Sequence, residues 1–324
     1  MRRAMADAEV GDEQRGLDPT VNRLQERVAE LLGHEAGLFL PSGTMCNQIG
    51  VRLHVTPGEG LILHRTSHPI VAEAGGAAAH AGAMVVPVEG EGGMFGPDDV
   101  GAALSRPGDR YAVRSALVCV EQTTNMGGGR VWPLEQMSAV VATARAAGLR
   151  AHLDGARLMN AVVASGVAAR DYAAQFDTAW IDFSKGLGAP VGACLAGSRE
   201  LIEGEAWRLK QMMGGALRQA GVVAAAGLYA LDHNVDRLAD DHANARRLAE
   251  GLAELPAVTI DPATVETNIV IFEADDAPAR AAELQEAGVD IGALGPRSIR
   301  AVTHLDVDGA GVERALEGMR RVFG

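Results

Sequence analysis

Apolar and polar positions change period several times along the chain, and the changes mark its elements. In "DPTVNRLQERVAELLG", residues 18–33, Val21, Leu24, Val28 and Leu31 recur at helical spacing, Asp18 is placed to cap, Pro19 suits the first helical position and Gly33 the exit. Beyond it, the short apolar runs "GLFL", "LILH", "AMVVPV", "ALVCV", "LRAHL", "TAWIDF" and "ACLAG" read as strands. The stretches "NQIGVRLHV", "VAEAGGAAAHAG", "PLEQMSAVVATARAAG" and "NAVVASGVAARDYAAQF" between them read as helices. Strands apolar on both faces and joined by crossover helices predict a mostly parallel α/β sheet.

From about Trp207 the pattern turns into one long helical stretch, with "RQAGVVAAAGLYALDHNVDRLADDHANARRLAEGLAEL" as its body. The chain then reads strand, helix, strand, helix in "ETNIVIF", "APARAAELQEAG", "RSIRAVTHL" and "DGAGVERALEGMRRVF". This predicts a large domain over 18–230 and a smaller C-terminal α/β domain over 231–324, joined by the segment 1–17, with the long helix as the bridge.

Composition narrows the function classes. With 324 residues, 48% hydrophobic and 22% charged, the chain is an ordinary globular sequence with enough length for a sizeable core. A formal net charge of −13 without any basic run disfavours a nucleic-acid or anionic-membrane surface, so an anion site has to be local. No stretch approaches the roughly 18 consecutive apolar residues of a membrane span. The opening "MRRAMADAEVGDE" turns acidic before a signal-peptide core could form, and the expected compartment is the cytoplasm. Cys46, Cys119 and Cys194 are odd in number, without metal-ligand spacing and in apolar or small-residue contexts, so buried thiols are expected and no metal site.

Three short segments carry candidate chemistry. "LFLPSGTMCNQIG" is a strand, a turn and a helix start, where Ser42, Gly43 and Thr44 make either a plain capped turn or an anion pocket. "LRAHLDGARLMNAVV" brings an apolar strand to its end at Asp154, where open α/β sheets place ligands; Arg157 could meet a carboxylate or simply pair with Asp154. In "SKGLG" the glycines around Lys185 let the backbone approach a cofactor ring, while a solvated turn lysine is the plainer alternative. Together, a phosphate turn, a strand-end carboxylate and a glycine-flanked lysine meet the needs of pyridoxal 5'-phosphate, PLP.

With "DPTVNRLQ", "LFLPSGTMCNQ", "SHPIVAEAGGAA", "HLDGARLMNAVVASG", "SKGLGAPVGACLAG", "GGALRQAGVVAAAGLYAL" and "VTHLDV" in order, the chain resembles the low-specificity L-threonine aldolases over nearly its whole length. These belong to the β-eliminating lyase branch of the fold-type I PLP enzymes. The resemblance implies a mostly parallel seven-stranded sheet sandwiched by helices, plus a smaller C-terminal domain. It implies Lys185 as the Schiff-base lysine, Asp154 as the partner of the pyridine nitrogen, Gly43 and Thr44 as phosphate ligands, and His68 stacked on the ring. Arg157 and Arg300 match the pair that clamps the substrate carboxylate, and Arg218 a basic residue reaching a neighbouring subunit's phosphate, which implies a homo-oligomer, a dimer or tetramer with shared sites. The implied reaction is cleavage of threonine, allo-threonine or phenylserine-type β-hydroxy-α-amino acids to glycine and an aldehyde.

The chain departs from the family's pattern in several places. It reads "EQTTN" where the family has Glu-Asn-Thr-His-Asn, which puts Thr124 at the position of a histidine near the substrate hydroxyl, and a threonine cannot act as a base near neutral pH. His68 would then have to serve. The family's opening Ser-Asp-Thr segment is missing, so either the start lies upstream or that carboxylate contact is lost. Arg15 stands where tyrosine is common, and Lys210–Gln211 suggests a displaced phosphate contact. Thr124 favours the alternative of a PLP lyase performing β-elimination on a specialised amino acid. A silent scaffold has no use for Lys185, Asp154, Arg157 and Arg300 together, and no G-x-G-x-x-G follows the first strand as a dinucleotide enzyme would need.

Overall fold

The computed structural model describes residues 1–106 and 108–324. All seven apolar runs of the first two-thirds are strands: β1 Ala36–Leu40, β2 Gly60–His64, β3 Met84–Val88, β4 Ser115–Glu121, β5 Arg150–Asp154, β6 Thr178–Asp182 and β7 Ala193–Gly197. They form one sheet in the order β1-β7-β6-β5-β4-β2-β3, parallel except for β7, which runs antiparallel to both β1 and β6. The sheet is continuously apolar because helices cover it, as parallel sheets require. At its carboxyl edge the neighbouring strands β4, β5 and β6 end on Glu121, Asp154 and Asp182, with Glu121 opposite Asp154 in register.

Helix Pro19–Leu32 starts as its sequence predicts, with the Asp18 carboxylate accepting from Thr20 N and Val21 N and Pro19 at the first position. Its buried stripe is Val21, Leu24, Val28 and Leu32; Leu31, expected inward, is only half-buried, because a spacing of four carries the apolar face to Leu32. Asp18 is also fully buried and accepts from Gly11 N at 3.1 Å and Gly221 N at 2.9 Å, so one carboxylate ties the N-terminal segment and the later helix Gly221–His233 to this helix.

Three expected helices are interrupted. The stretch 71–82 divides into His68–Val71 and Gly76–Ala81, with Ala74 at φ 51° between them, and 160–176 divides at Gly166, whose φ of 73° ends the helix Leu158–Ser165. The long bridging helix is two, Gly221–His233 and Leu238–Ala253, because Asn234 leaves the helix and donates its side chain to Leu187 O at 2.6 Å. Pattern alone also missed the helices Arg2–Ala6 and Pro97–Ala103.

The C-terminal part adds β8 Ile269–Glu273, β9 Gly292–Ala293 and β10 Ser298–Val302 in the order β8-β10-β9, antiparallel throughout, with helices Ala277–Glu286 and Gly309–Phe323. Its apolar cluster runs from Ala245 to Phe323, whereas Leu231 and Leu238 pack with the seven-stranded sheet. Helix Leu238–Ala253 thus begins in one core and ends in the other.

Replacing Asp18 by Ala strands the N–H groups of Gly11, Thr20, Val21 and Gly221 away from acceptors. The expected loss is about 3 kcal/mol or more, read as a lower urea midpoint at unchanged slope. A loss under about 1 kcal/mol would mean that water replaces the carboxylate.

Candidate active site

The carboxyl edge of the sheet faces β10 across a crevice of about 530 Å³ that Lys185, Arg157, Arg300, Asn268 and His304 help to line. Two cavities of about 600 Å³ lie elsewhere, one in the C-terminal part and one at the amino ends of β5 and β6, and neither is lined by a lysine. Lys185 follows β6 on a turn fixed by Asp182, whose Oδ1 accepts from Ser184 N at 2.6 Å and Ser184 Oγ at 2.7 Å. Its Nζ stands 3.8 Å from Asp182 Oδ2 and 5.7 Å from the centre of the Trp180 ring. At that distance the ammonium is loosely held, and its side chain is 30% exposed.

Asp154 is fully buried at the end of β5 and receives Asn47 Nδ2 at 2.7 Å and Ala156 N at 3.0 Å. Asn47 comes from helix Gly43–His54, which can lie this close because two of its residues lack a side chain. A Cβ on Gly43 would stand 2.3 Å from Trp180 and 2.9 Å from Asp182 Oδ2, and one on Gly50 2.3 Å from His152. Ser42 caps this helix, its Oγ accepting from Met45 N at 3.2 Å. The Ser42–Gly43–Thr44 turn therefore sits over Trp180 and beside the same Asp182 that faces Lys185.

The Asn47 amide also donates to Glu73 Oε1 at 2.6 Å, and Glu73 accepts from His68 Nδ1 at 2.8 Å, so His68 and Asp154 belong to one network. The Glu73 hydrogen bond raises the His68 pKa against the pull of burial, with Asp154 adding to the rise and Lys185 opposing it. Glu73 is itself raised, because burial outweighs what His68 and Asn47 contribute. Glu121 accepts from His68 N at 3.3 Å and Asn125 N at 2.9 Å. Burial, then the Asp154 charge, push its carboxyl up to about 7.

The two arginines meet on one atom: Arg157 Nη1 at 3.3 Å and Arg300 Nη1 at 2.9 Å both donate to Asn125 Oδ1. Arg157 is buried with its Nε unpartnered, and burial lowers its pKa, with Glu121 the largest opposing influence.

Lys185, Arg157 and Arg300 thus share a crevice, while Asp154 and His68 are joined through Asn47 and Glu73. Thr124, expected at the substrate, does not line that crevice; its hydroxyl is buried without a partner, on the side of Gly93 and Gly127. Arg218 is largely exposed and pairs with Asp12 at 3.1 Å, away from the crevice of its own chain. Lys210 is buried and paired with Glu13.

Sequence reasoning did not single out Asn47, Glu73, Glu121, Asn125 or Asp182. Glu121 and Asp182 carry the signal that exposed Asp154, a carboxylate ending an apolar strand. Asn47, Glu73 and Asn125 matter through partners far along the chain, which no local pattern encodes.

Residues 1–275 match the family described as beta-eliminating lyase, and the chain belongs to that family. Within it the similarity narrows to the low-specificity L-threonine aldolases. The chain is 40% identical to the probable low-specificity L-threonine aldolase 2 of Arabidopsis thaliana, covering 100% of this chain and 93% of the relative. It is also 40% identical to the low specificity L-threonine aldolase of Escherichia coli strain K12, covering 95% and 90%. The threonine aldolase structure of Leishmania major superposes with a TM-score of 0.84 at 22% identity, covering 100% of this chain and 94% of that one, a likeness of fold. The fold-type I arrangement expected from the sequence is the one found.

Replacing Glu73 by Gln removes the leading cause of the raised His68 pKa, which should fall when followed by a histidine NMR titration. A raised pKa contributes stability that is present below the ordinary imidazole range and lost as pH rises through the folded-state value. That acid-side contribution should vanish in Glu73→Gln. An unchanged His68 titration would show that Asp154 alone sets it.

Proposed function

We propose that the protein uses PLP to cleave β-hydroxy-α-amino acids of the threonine, allo-threonine and phenylserine type between Cα and Cβ, releasing glycine and an aldehyde. The observation that carries this reading is the meeting of a loosely held lysine and two arginines in one crevice, at the edge where Asp154 is buried. The residues fit the cofactor: Arg157 Nε is buried without a partner, and the bare Gly43 lets the Ser42–Thr44 turn come down against Trp180 and beside Asp182.

In this reading Lys185 holds the cofactor's aldehyde, Asp154 faces the pyridine nitrogen, Ser42, Gly43 and Thr44 take the phosphate, and His68 lies against the ring. When bound, PLP supplies an electron sink for the pair released as Cα–Cβ breaks. Arg157 and Arg300 exchange the shared Asn125 oxygen for the substrate carboxylate, a better acceptor for two guanidinium groups. That grip sets which bond at Cα is aligned for cleavage. His68 takes the hydroxyl proton through Nε2, the ring nitrogen not engaged with Glu73, directly or across a water. Burial keeps water from the strand-end carboxylates and strengthens each of these interactions.

The Thr124 hydroxyl cannot stand in as that base, which favours, as a second reading, β-elimination by the same residues. We read a large domain over 18–230 and a small one over 231–324, both of which contribute residues to the crevice. Arg218, exposed and paired with Asp12, would reach the phosphate of a neighbouring subunit in a homo-oligomer, a tetramer in our reading. Among the described residues no helix is long and apolar enough to cross a membrane, and we place the protein in the cytoplasm.

Purified with PLP, the protein should release glycine and aldehyde from L-threonine, L-allo-threonine or L-phenylserine, and Lys185→Ala should lower that rate by at least about 1,000-fold. Ammonia and a keto acid in place of glycine would establish the elimination reading. Arg300→Lys, which keeps charge but loses the fork, should raise KM roughly 10-fold with a smaller change in kcat. An unaffected KM would remove Arg300 from the carboxylate clamp.

A further inference from the structure

A chain of side-chain hydrogen bonds runs through the layer between helix Gly43–His54 and the sheet. It begins at His54, whose Nε2 is 3.0 Å from Thr178 Oγ1 at the start of β6. Thr178 Oγ1 is 2.8 Å from His152 Nδ1 on β5, and His152 Nε2 is 3.2 Å from Asn47 Oδ1. Asn47 Nδ2 closes the chain on Asp154 Oδ2 at 2.7 Å. Asn47, Gly50 and His54 lie on one helix face, and the bare Gly50 gives the His152 ring its room. Thr178, His152 and Asp154 are fully buried and Asn47 nearly so.

The direction of every bond follows from what each group can donate. The Trp180 indole N–H only donates, and it meets Asn47 Oδ1 at 2.7 Å, while the carboxylate oxygens of Glu73 and Asp154 meet Nδ2. The amide therefore has one orientation, with its oxygen toward His152. That oxygen accepts, so His152 carries its proton on Nε2, and a neutral ring then presents Nδ1 as an acceptor. Thr178 donates its hydroxyl hydrogen to Nδ1, and its oxygen accepts from His54 Nε2–H. Burial first, then the nearby His54, lower the His152 pKa to about 3, and burial lowers that of His54 to about 4, so both rings are neutral over the physiological range. All donors point one way, toward the carboxylate, and such a chain polarises cooperatively.

The outer end reaches a cavity. His54 lines the cavity of about 600 Å³ at the amino ends of β5 and β6, together with Arg145, Arg150 and Asp177. The far end is the buried carboxylate beneath the crevice, so the relay spans the length of the sheet's central strands.

We infer that Thr178, His152 and Asn47 are positioning residues, a one-way donor chain that fixes the orientation of the Asp154 carboxylate and with it the hold on the cofactor's pyridine nitrogen. This rests on the reading that PLP binds in the crevice. Removing the Thr178 hydroxyl leaves His152 Nδ1 without its donor and the ring without the contact that aims Nε2–H at the Asn47 oxygen, so the ring can turn away from it. Asn47 then loses a partner that holds it against Asp154.

The test compares the PLP-loaded wild type with Thr178→Val, which keeps the shape and loses the hydroxyl, and Thr178→Ser, which restores the hydroxyl at the cost of a methyl. Nitrogen-15 histidine spectra should show His152 neutral with its proton on Nε2 and its Nδ1 hydrogen-bonded in the wild type and in Thr178→Ser, and an Nδ1 resonance shifted to that of a free acceptor in Thr178→Val. PLP binding should be roughly 10-fold weaker in Thr178→Val and within about 3-fold of wild type in Thr178→Ser. A wild-type His152 that is charged or carries its proton on Nδ1 overturns the inference without any variant. So does a Thr178→Val protein that keeps wild-type PLP affinity, or a Thr178→Ser protein as weak as Thr178→Val, since packing would then account for the loss. A wild-type chain that takes up no PLP overturns the cofactor reading and this role with it, whereas a yellow wild type with an unaffected Thr178→Val overturns the role alone.

Discussion

The carboxamide of Asn47 uses its full hydrogen-bonding capacity in one buried place, giving its two hydrogens to Glu73 and Asp154 and receiving the Trp180 and His152 N–H groups on its oxygen. Because it is buried, every one of those bonds replaces one that water would otherwise make, and none can be dropped cheaply. The consequence is geometric: the end of β5, the turn carrying Glu73 and helix Gly43–His54 are tied to one mutual arrangement. The glycines at 43 and 50 make that arrangement possible by letting the helix backbone approach Trp180 and His152.

Around that fixed point the charges are arranged by sheet topology. Three adjacent strands end in carboxylates, Glu121, Asp154 and Asp182, and these would repel one another in a dry crevice without compensation. Asp154 is hydrogen-bonded, Asp182 faces Lys185, and Glu121 has backbone N–H groups and the nearby Arg157 charge. A chain of net charge −13 thus keeps its few inward-facing cations where an anionic substrate and cofactor would meet them. The same concentration of charge leaves Arg157 and Arg300 competing for a single amide oxygen, so the pair is incompletely satisfied until a better acceptor arrives.

Strands β1 to β7 and the start of helix Pro19–Leu32 were legible in the sequence because each follows from local physics: continuous apolar runs for doubly covered strands, and Asp-Pro for a helix start. Lys185 and Asp154 were legible for the same reason, standing at places where their residue type is conspicuous against its neighbours. The helix breaks at Asn234 and Ala74 were not, since Asn234 leaves its helix to bond a carbonyl far back in the chain, and Ala74 adopts a backbone conformation that its residue type does not advertise.

Sequence by itself determined the fold class, the order of the elements and the chemically distinctive residues, because hydrophobic period, capping and turn chemistry act over a few neighbouring positions. Tertiary structure alone decided which polar groups meet. Asn47 lies 107 residues from Asp154, and Arg300 lies 175 from Asn125. Those outcomes depend on how helices seat on a sheet and which side chains lose their water there, and burial of that kind is a property of the packed chain that no short stretch contains.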